Sequence, residues 1–292
     1  MTQADSGDVL VTGSTGRIGR MVIDQLVEKG VPVRALAREP AEGSFPSAVE
    51  VVGGDFEVPD SLESGLQGVN TVFLVWTLPF DTAPAVIERI ARHAGRVVFL
   101  SAPHRTPHPF FQQPNPMAKL HADIEQLIAD SGMASTMIRP GMLASNALQW
   151  WAPTIRRRQP IRWPFGEAET APLDDRDLAA VAAQVLSDGS HAGGDYVLTG
   201  PESLSQVDQV EAIGAALGQD IAFEELSPEA FRSETADTWP RPVVDMLLAA
   251  WAATMGQPAY LTTNVFDILG SPARTFRQWA TDNAASFTMV SE

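Results

Sequence analysis

Seven residues near the N-terminus, Gly13-Ser14-Thr15-Gly16-Arg17-Ile18-Gly19, carry the clearest chemical signal in the chain. They follow a short apolar run, Asp8–Thr12, and open a segment with Ile18, Met21, Val22 and Leu26 at helical spacing. Each glycine has its own task in such a place. Gly13 lets the chain turn tightly, Gly16 lets the backbone approach a pyrophosphate, and Gly19 lets the helix lie close to the strand. The amides at the start of the helix then face the anion. Thr15, Arg17 and Ile18 join the three glycines as expected cofactor contacts.

The type of dinucleotide is read at the end of the second strand. A site for NAD(H) places an acid there to hold the ribose 2′-hydroxyl. This chain reads Val33-Arg34-Ala35-Leu36-Ala37-Arg38, with no acid before Glu39. Arg38 suits a 2′-phosphate, and Arg17 adds a second positive charge, so NADP(H) is expected ahead of NAD(H). The alternative for Arg38 is a solvated surface arginine. Asp55 and Phe56 end the third strand, where an acid can accept from the adenine amino group and a ring can lie against the base. The alternative for Asp55 is a turn residue.

The elements that would position these groups alternate along the first 140 residues. Strands are expected at 8–12, 31–36, 49–53, 71–75, 96–101 and 135–139, with helices at 16–29, 59–66, 84–93 and 117–130 between them. Six strands alternating with helices predict an α/β fold with a Rossmann-type doubly wound parallel sheet. After Pro140 the rhythm breaks, and Trp150, Trp151, Trp163 and Phe165 crowd a proline-rich stretch. Further helices are expected at 173–186, 205–217 and 240–255, and strands at 196–199 and 221–225. Residues 1–148 are therefore taken as the nucleotide-binding domain. Residues 149–292 form a smaller mixed α/β substrate region, from which some segments can return to the sheet. Trp76 and Thr77 end the fourth strand, on the expected path of the cofactor ribose and nicotinamide. Trp76, Trp150 and Trp151 could wall a flat substrate, or serve as core.

Composition excludes several classes. The 292 residues carry a net charge of −16 with 45% hydrophobic content. The longest basic run, Arg156–Arg158, is too short to reverse that field, so nucleic acid is not expected as a partner. There is no Cys, and the five His form no helical ligand pair. Neither disulfides nor a metal site is expected. No apolar run approaches membrane-spanning length, and the polar N-terminus lacks a signal pattern, so a cytoplasmic protein without membrane association is expected. A homodimer is compatible with these features.

The motifs together resemble the NmrA-like atypical short-chain dehydrogenases. They are Gly13–Gly19, Gly54-Asp55-Phe56, Ser131-Gly132, Thr136-Met-Ile-Arg-Pro-Gly141 with Asn146, and Leu173-Asp-Asp-Arg-Asp-Leu178. The resemblance covers most of residues 8–225. It implies a Rossmann domain, a small C-terminal substrate domain and NADP(H). The family includes quinone reductases, benzylic ether reductases and a redox-sensing regulator.

The resemblance also exposes a departure. Extended short-chain dehydrogenases use Tyr-x-x-x-Lys, commonly with Glu four residues on. His121-Ala-Asp-Ile-Glu125 fits the Lys-to-Glu frame, which puts Met117 at the tyrosine position. The benzylic ether reductases keep a lysine near His121, so His121 is the first candidate for a proton donor, with Lys119 as rival. Two residues apart on a helix, these two cannot face one cleft, and Lys119 lies nearer solvent. Ser101 occupies the place of the dehydrogenase serine. Trp150 and Asn146 are expected at the substrate. A centre without tyrosine suits hydride transfer to a quinone or another flat aromatic or polyketide-like molecule, which needs little acid catalysis. Two other readings stay open: a non-catalytic NADP(H)-binding redox sensor, and a tailoring enzyme using the fold for non-redox or coupling chemistry.

Overall fold

In Val69–Val75 all but Asn70 and Val75 are buried, an environment that a central strand of a parallel sheet covered on both faces provides. The computed structural model describes residues 8–40 and 45–289. The main sheet contains β1 (Asp8–Val11), β2 (Val33–Ala37), β3 (Val49–Gly53), β4 (Val69–Val75), β5 (Arg96–Leu100) and β6 (Ala134–Pro140). Two short strands follow, β7 (Ile161–Trp163) and β8 (Glu169–Thr170), before β9 (Asp195–Leu198) returns to the main sheet. The order is β3-β2-β1-β4-β5-β6-β9 and every pair is parallel. The direction of winding reverses between β1 and β4. In such sheets the crevice for a ligand opens there, at the carboxyl ends of the strands.

Helices cover both faces. On one face lies α1 (Arg17–Glu28), which buries Gly19, Val22, Ile23 and Leu26. The other face carries α2 (Glu63–Leu66), α3 (Ala83–His93) and α4 (Pro116–Ser131). Asn115 caps α4 through its side-chain oxygen, and Gly132 ends it with φ of 76°. Residues 59–66, expected as one helix, divide into a 3-10 turn and the single turn of α2.

The second half supplies α5 (Asn146–Trp150), α6 (Ala152–Arg156), α7 (Asp175–Ser187) and α8 (Gln206–Leu217). Strands β10 (Leu204–Ser205) and β11 (Phe223–Glu225) pair with β8 and β7. Then come α9 (Pro228–Glu234), α10 (Arg241–Ala253), α11 (Asn264–Leu269), α12 (Phe276–Asp282) and α13 (Ala284–Thr288). Helix α7 packs on α1, and α11 packs on α7 and β9, so these segments complete the face of the main sheet. The remainder closes on a separate core. There Trp150, Trp151, Trp251 and Phe231 pack edge to face or tilted around the buried Trp163. Among the described residues no helix is long and apolar enough to cross a membrane.

Candidate active site

The glycine loop sits at the carboxyl end of β1, at the point where the winding reverses. Gly13 has φ of 61°, a backbone conformation that a side chain would strain. A Cβ on Gly19 would lie 2.2 Å from the Gly13 carbonyl oxygen, so only glycine allows this approach of helix to loop. Gly16 is the N-cap of α1, and no side chain caps that helix end. Thr15, Gly16 and Arg17 are exposed and Ile18 is half-buried. Ser14 faces inward, where its hydroxyl donates to the Leu36 carbonyl at 2.6 Å and ties the loop to β2. An uncapped helix start with exposed backbone and a neighbouring arginine fits a pyrophosphate.

The flanking strand ends carry the other expected contacts. Arg38 is exposed just past β2 and has no carboxylate partner among the described residues. Asp55 directs one carboxylate oxygen to the Glu57 amide at 2.9 Å, which makes it part of the turn after β3 and leaves its second oxygen. Phe56 stacks on Trp76 with centroids 5.1 Å apart. Trp76 is only 2% exposed and donates its indole N–H to the Leu78 carbonyl, so it belongs to the core beneath this edge and not to a substrate wall. Thr77, next to it, is exposed.

A cavity of about 260 Å³ opens at the carboxyl ends of β5 and β6. Its walls come from the β5–α4 connection, the Pro140–Met142 turn, α5 and α10. Trp150 and Asn146 both line it, together with Phe110, Phe111, His104, Gln113 and Asn115. None of its lining residues is Lys, Arg, Asp or Glu. The long connection after β5 carries Pro103, Pro107 and Pro109. The cavity residues it contributes have no periodic signal, because they lie in turns.

Ser101 and His121 are placed differently from Trp150. The Ser101 hydroxyl donates to Glu125, within a buried network. In it Arg139 donates to both Glu125 oxygens at 2.6 and 3.0 Å and to Asp195 at 2.5 and 3.1 Å. Glu125 and Arg139 are 4% and 1% exposed, so this pair is a fixed floor under the cavity. Neither Ser101 nor His121 is among the cavity-lining residues. His121 shares its Nδ1 proton with the Met117 carbonyl one turn back at 2.7 Å and lies against Phe99. Burial holds its pKa below the ordinary histidine value, which keeps the ring neutral. Lys119 points to solvent and pairs with Asp123 at 2.5 Å. The histidine in the cavity wall is His104, with Nδ1 3.0 Å from the Ala102 carbonyl and Nε2 3.7 Å from Glu125. Its position four residues beyond Leu100, the last residue of β5, was the available signal.

The pattern of the NmrA-like family matches residues 5–257. The chain belongs to that family. A relative from Streptomyces griseus subsp. griseus, a (4-alkanoyl-5-oxo-2,5-dihydrofuran-3-yl)methyl phosphate reductase, is 34% identical and aligns over 96% of this chain and 99% of its own. An NAD(P)H azoreductase from Xenophilus azovorans is 32% identical over the same shares. Among solved structures, the NADPH-dependent quinone oxidoreductase from Escherichia coli superposes with a TM-score of 0.79 at 24% identity, covering 94% of this chain and 98% of that one. The Citrobacter triphenylmethane reductase complexed with NADP(H) gives 0.81 at 19% identity, covering 94% and 99%. At these identities the two structures show the shared NmrA-like fold.

Proposed function

We propose that this NmrA-like protein is an NADPH-dependent reductase of uncharged, flat, conjugated acceptors such as quinones. The observation that carries the reading is the cavity at the β5 and β6 ends. It is walled by Trp150, Phe110 and Phe111, polar only through His104 and amides, and set on the sheet edge that bears the glycine loop. Two relatives with more than 30% identity are reductases of an unsaturated lactone that carries a methyl phosphate and of azo compounds, and in both the acceptor is conjugated. The division of labour follows the sheet edge, with Gly13–Gly19 holding the pyrophosphate and Arg38 the 2′-phosphate.

When bound, NADPH supplies a hydride. The chain must hold the acceptor flat, exclude water and meet the negative charge that develops on the acceptor heteroatom. Trp150 and the phenylalanines provide the flat surface. Asn115 commits its side-chain oxygen to the Met117 and Ala118 amides, which leaves its NH₂ group to donate to that charge. Hydride addition to a quinone leaves an electron pair on oxygen as a stabilised phenolate, which takes its proton from solvent once the product leaves the site. No tyrosine is needed for that step, consistent with Met117 in the tyrosine position.

The test follows NADPH absorbance with 2-methyl-1,4-naphthoquinone, its sulfonated analogue and a simple aliphatic ketone. Turnover of the neutral quinone, a KM at least about tenfold higher for the sulfonate, and no ketone reduction are expected, since an unpaired charge in an apolar site is costly. NADPH binding without oxidation by any conjugated acceptor would overturn the proposal.

A further inference from the structure

The segment Leu173–Leu178 has a place in the fold that cofactor and substrate binding alone do not explain. Asp175, in the first turn of α7, is 2% exposed. One of its oxygens accepts the Ser145 hydroxyl at 2.7 Å. The other is buried and has no hydrogen-bond partner among the described residues. Ser145 is the N-cap residue of α5, yet its hydroxyl does not cap that helix. It goes to Asp175 instead, and α5 carries both Asn146 and Trp150 into the cavity wall. The same stretch is pinned by backbone bonds, Leu173 N to Met142 O at 2.8 Å and Ala144 N to Leu173 O at 2.9 Å.

Asp175 also feels the charge of Arg17, the first residue of α1 in the glycine loop, and α7 packs against α1. A second charged neighbour is Asp174, whose own carboxylate is bound by Arg176 at 2.6 Å. One buried carboxylate therefore stands where three helices begin: α1 with the cofactor loop, α5 with the substrate wall, and α7 itself. An unpartnered charged oxygen in such a place is costly unless a cation or a proton compensates it.

We propose that Asp175 is a positioning residue that anchors the substrate helix α5 through Ser145 and makes cofactor binding proton-linked through its uncompensated oxygen. The proposal rests on the NADP(H) reading above. Phosphate arriving at the start of α1 brings negative charge beside Asp175 and engages Arg17, the nearby cation. The carboxylate then holds a proton more tightly than in the free protein. Burial already raises its pKa from the ordinary 3.8 in that state. Binding therefore takes up protons, and affinity falls as pH rises through the window between the free and bound values.

The experiment is calorimetric titration of the whole protein with NADP+ from pH 5 to 8, in two buffers of different ionisation enthalpy. Wild type is expected to take up protons. Asp175→Asn keeps an acceptor for Ser145 and removes the charge. It is expected to abolish that uptake and to bind NADP+ about threefold to tenfold more tightly at pH 8. Ser145→Ala is expected to keep cofactor affinity and raise the acceptor KM about fivefold, the size of one lost hydrogen bond. Identical NADP+ affinity and proton uptake in wild type and Asp175→Asn would overturn the proposal while leaving the cofactor reading intact. Wild type that binds no NADP+ would overturn both. A purely structural Asp175 would lower Tm without touching the proton uptake.

Discussion

Helices α1 and α7 pack against each other and begin at the same edge of the same sheet, but their first turns are finished in opposite ways. At α1 the N-cap is Gly16, no side chain caps it, and no acid lies in the first turn. At α7 the Asp174 side chain caps the Arg176 amide at 2.8 Å, and Asp175 and Asp177 are both buried in the first turn. Asp177 accepts from the Arg274 backbone at 2.6 Å and from its guanidinium. Helix starts attract negative charge. The protein fills one with its own carboxylates and leaves the other for an anion from outside. The contrast teaches that removing the Asp174 cap of α7 should cost stability, and that substitutions at the start of α1 should cost cofactor affinity.

The largest effect is expected at Gly19. Its replacement by Ala puts a methyl 2.2 Å from the Gly13 carbonyl oxygen, so the loop must move. Calorimetry should show NADP+ affinity lower by about 100-fold or more, with a stability loss of about 1–3 kcal/mol. Unchanged affinity would break the contrast at its strongest point.

Arg38→Ala comes next. Losing one charge-assisted phosphate contact should weaken NADP+ binding by about 1.5–3 kcal/mol and leave NAD+ binding nearly unchanged. Equal loss for both cofactors would remove Arg38 from the 2′-phosphate.

Asp174→Ala tests the opposite arm. Urea unfolding should report a loss of about 1 kcal/mol for the missing cap, while NADP+ affinity stays within about twofold. A large affinity change with no stability change would reverse the roles assigned to the two helices.

The smallest effect is one of sign. Burial raises the pKa of Asp175 in the folded protein above the unfolded value. The folded state therefore binds the proton more tightly, and this group's contribution to stability falls as pH rises from below 3.8 through the raised value. The stability of Asp175→Asn relative to wild type should accordingly increase across that window. A difference that shrinks with rising pH would contradict the burial of an unpartnered carboxylate oxygen.

How much of this was legible in the chain depends on the range of the forces involved. The glycine loop, the absence of an acid before Arg38 and the alternation of strands and helices are local properties. Glycine spacing sets backbone freedom, and apolar periodicity sets which face is buried, so the Rossmann sheet and its nucleotide edge could be read directly. Tyr196–Thr199 was also legible as a strand, but its pairing with β6 at the sheet edge was not, since register depends on a partner over 50 residues away. The aromatic residues divided in a way that their type does not reveal. Trp150 lines the cavity, whereas Trp76 lies under Phe56 in the core. His121 and Ser101 stood at the right places along the sequence. Tertiary packing committed the serine hydroxyl to Glu125 and the His121 ring to its own helix and Phe99. The ion pair of Glu125 with Arg139, the hydrogen bond of Ser145 to Asp175, and the cavity wall built from turns all join residues far apart in the chain. Such contacts arise only when long-range burial forces polar groups to find partners, and no local pattern encodes which partners those will be.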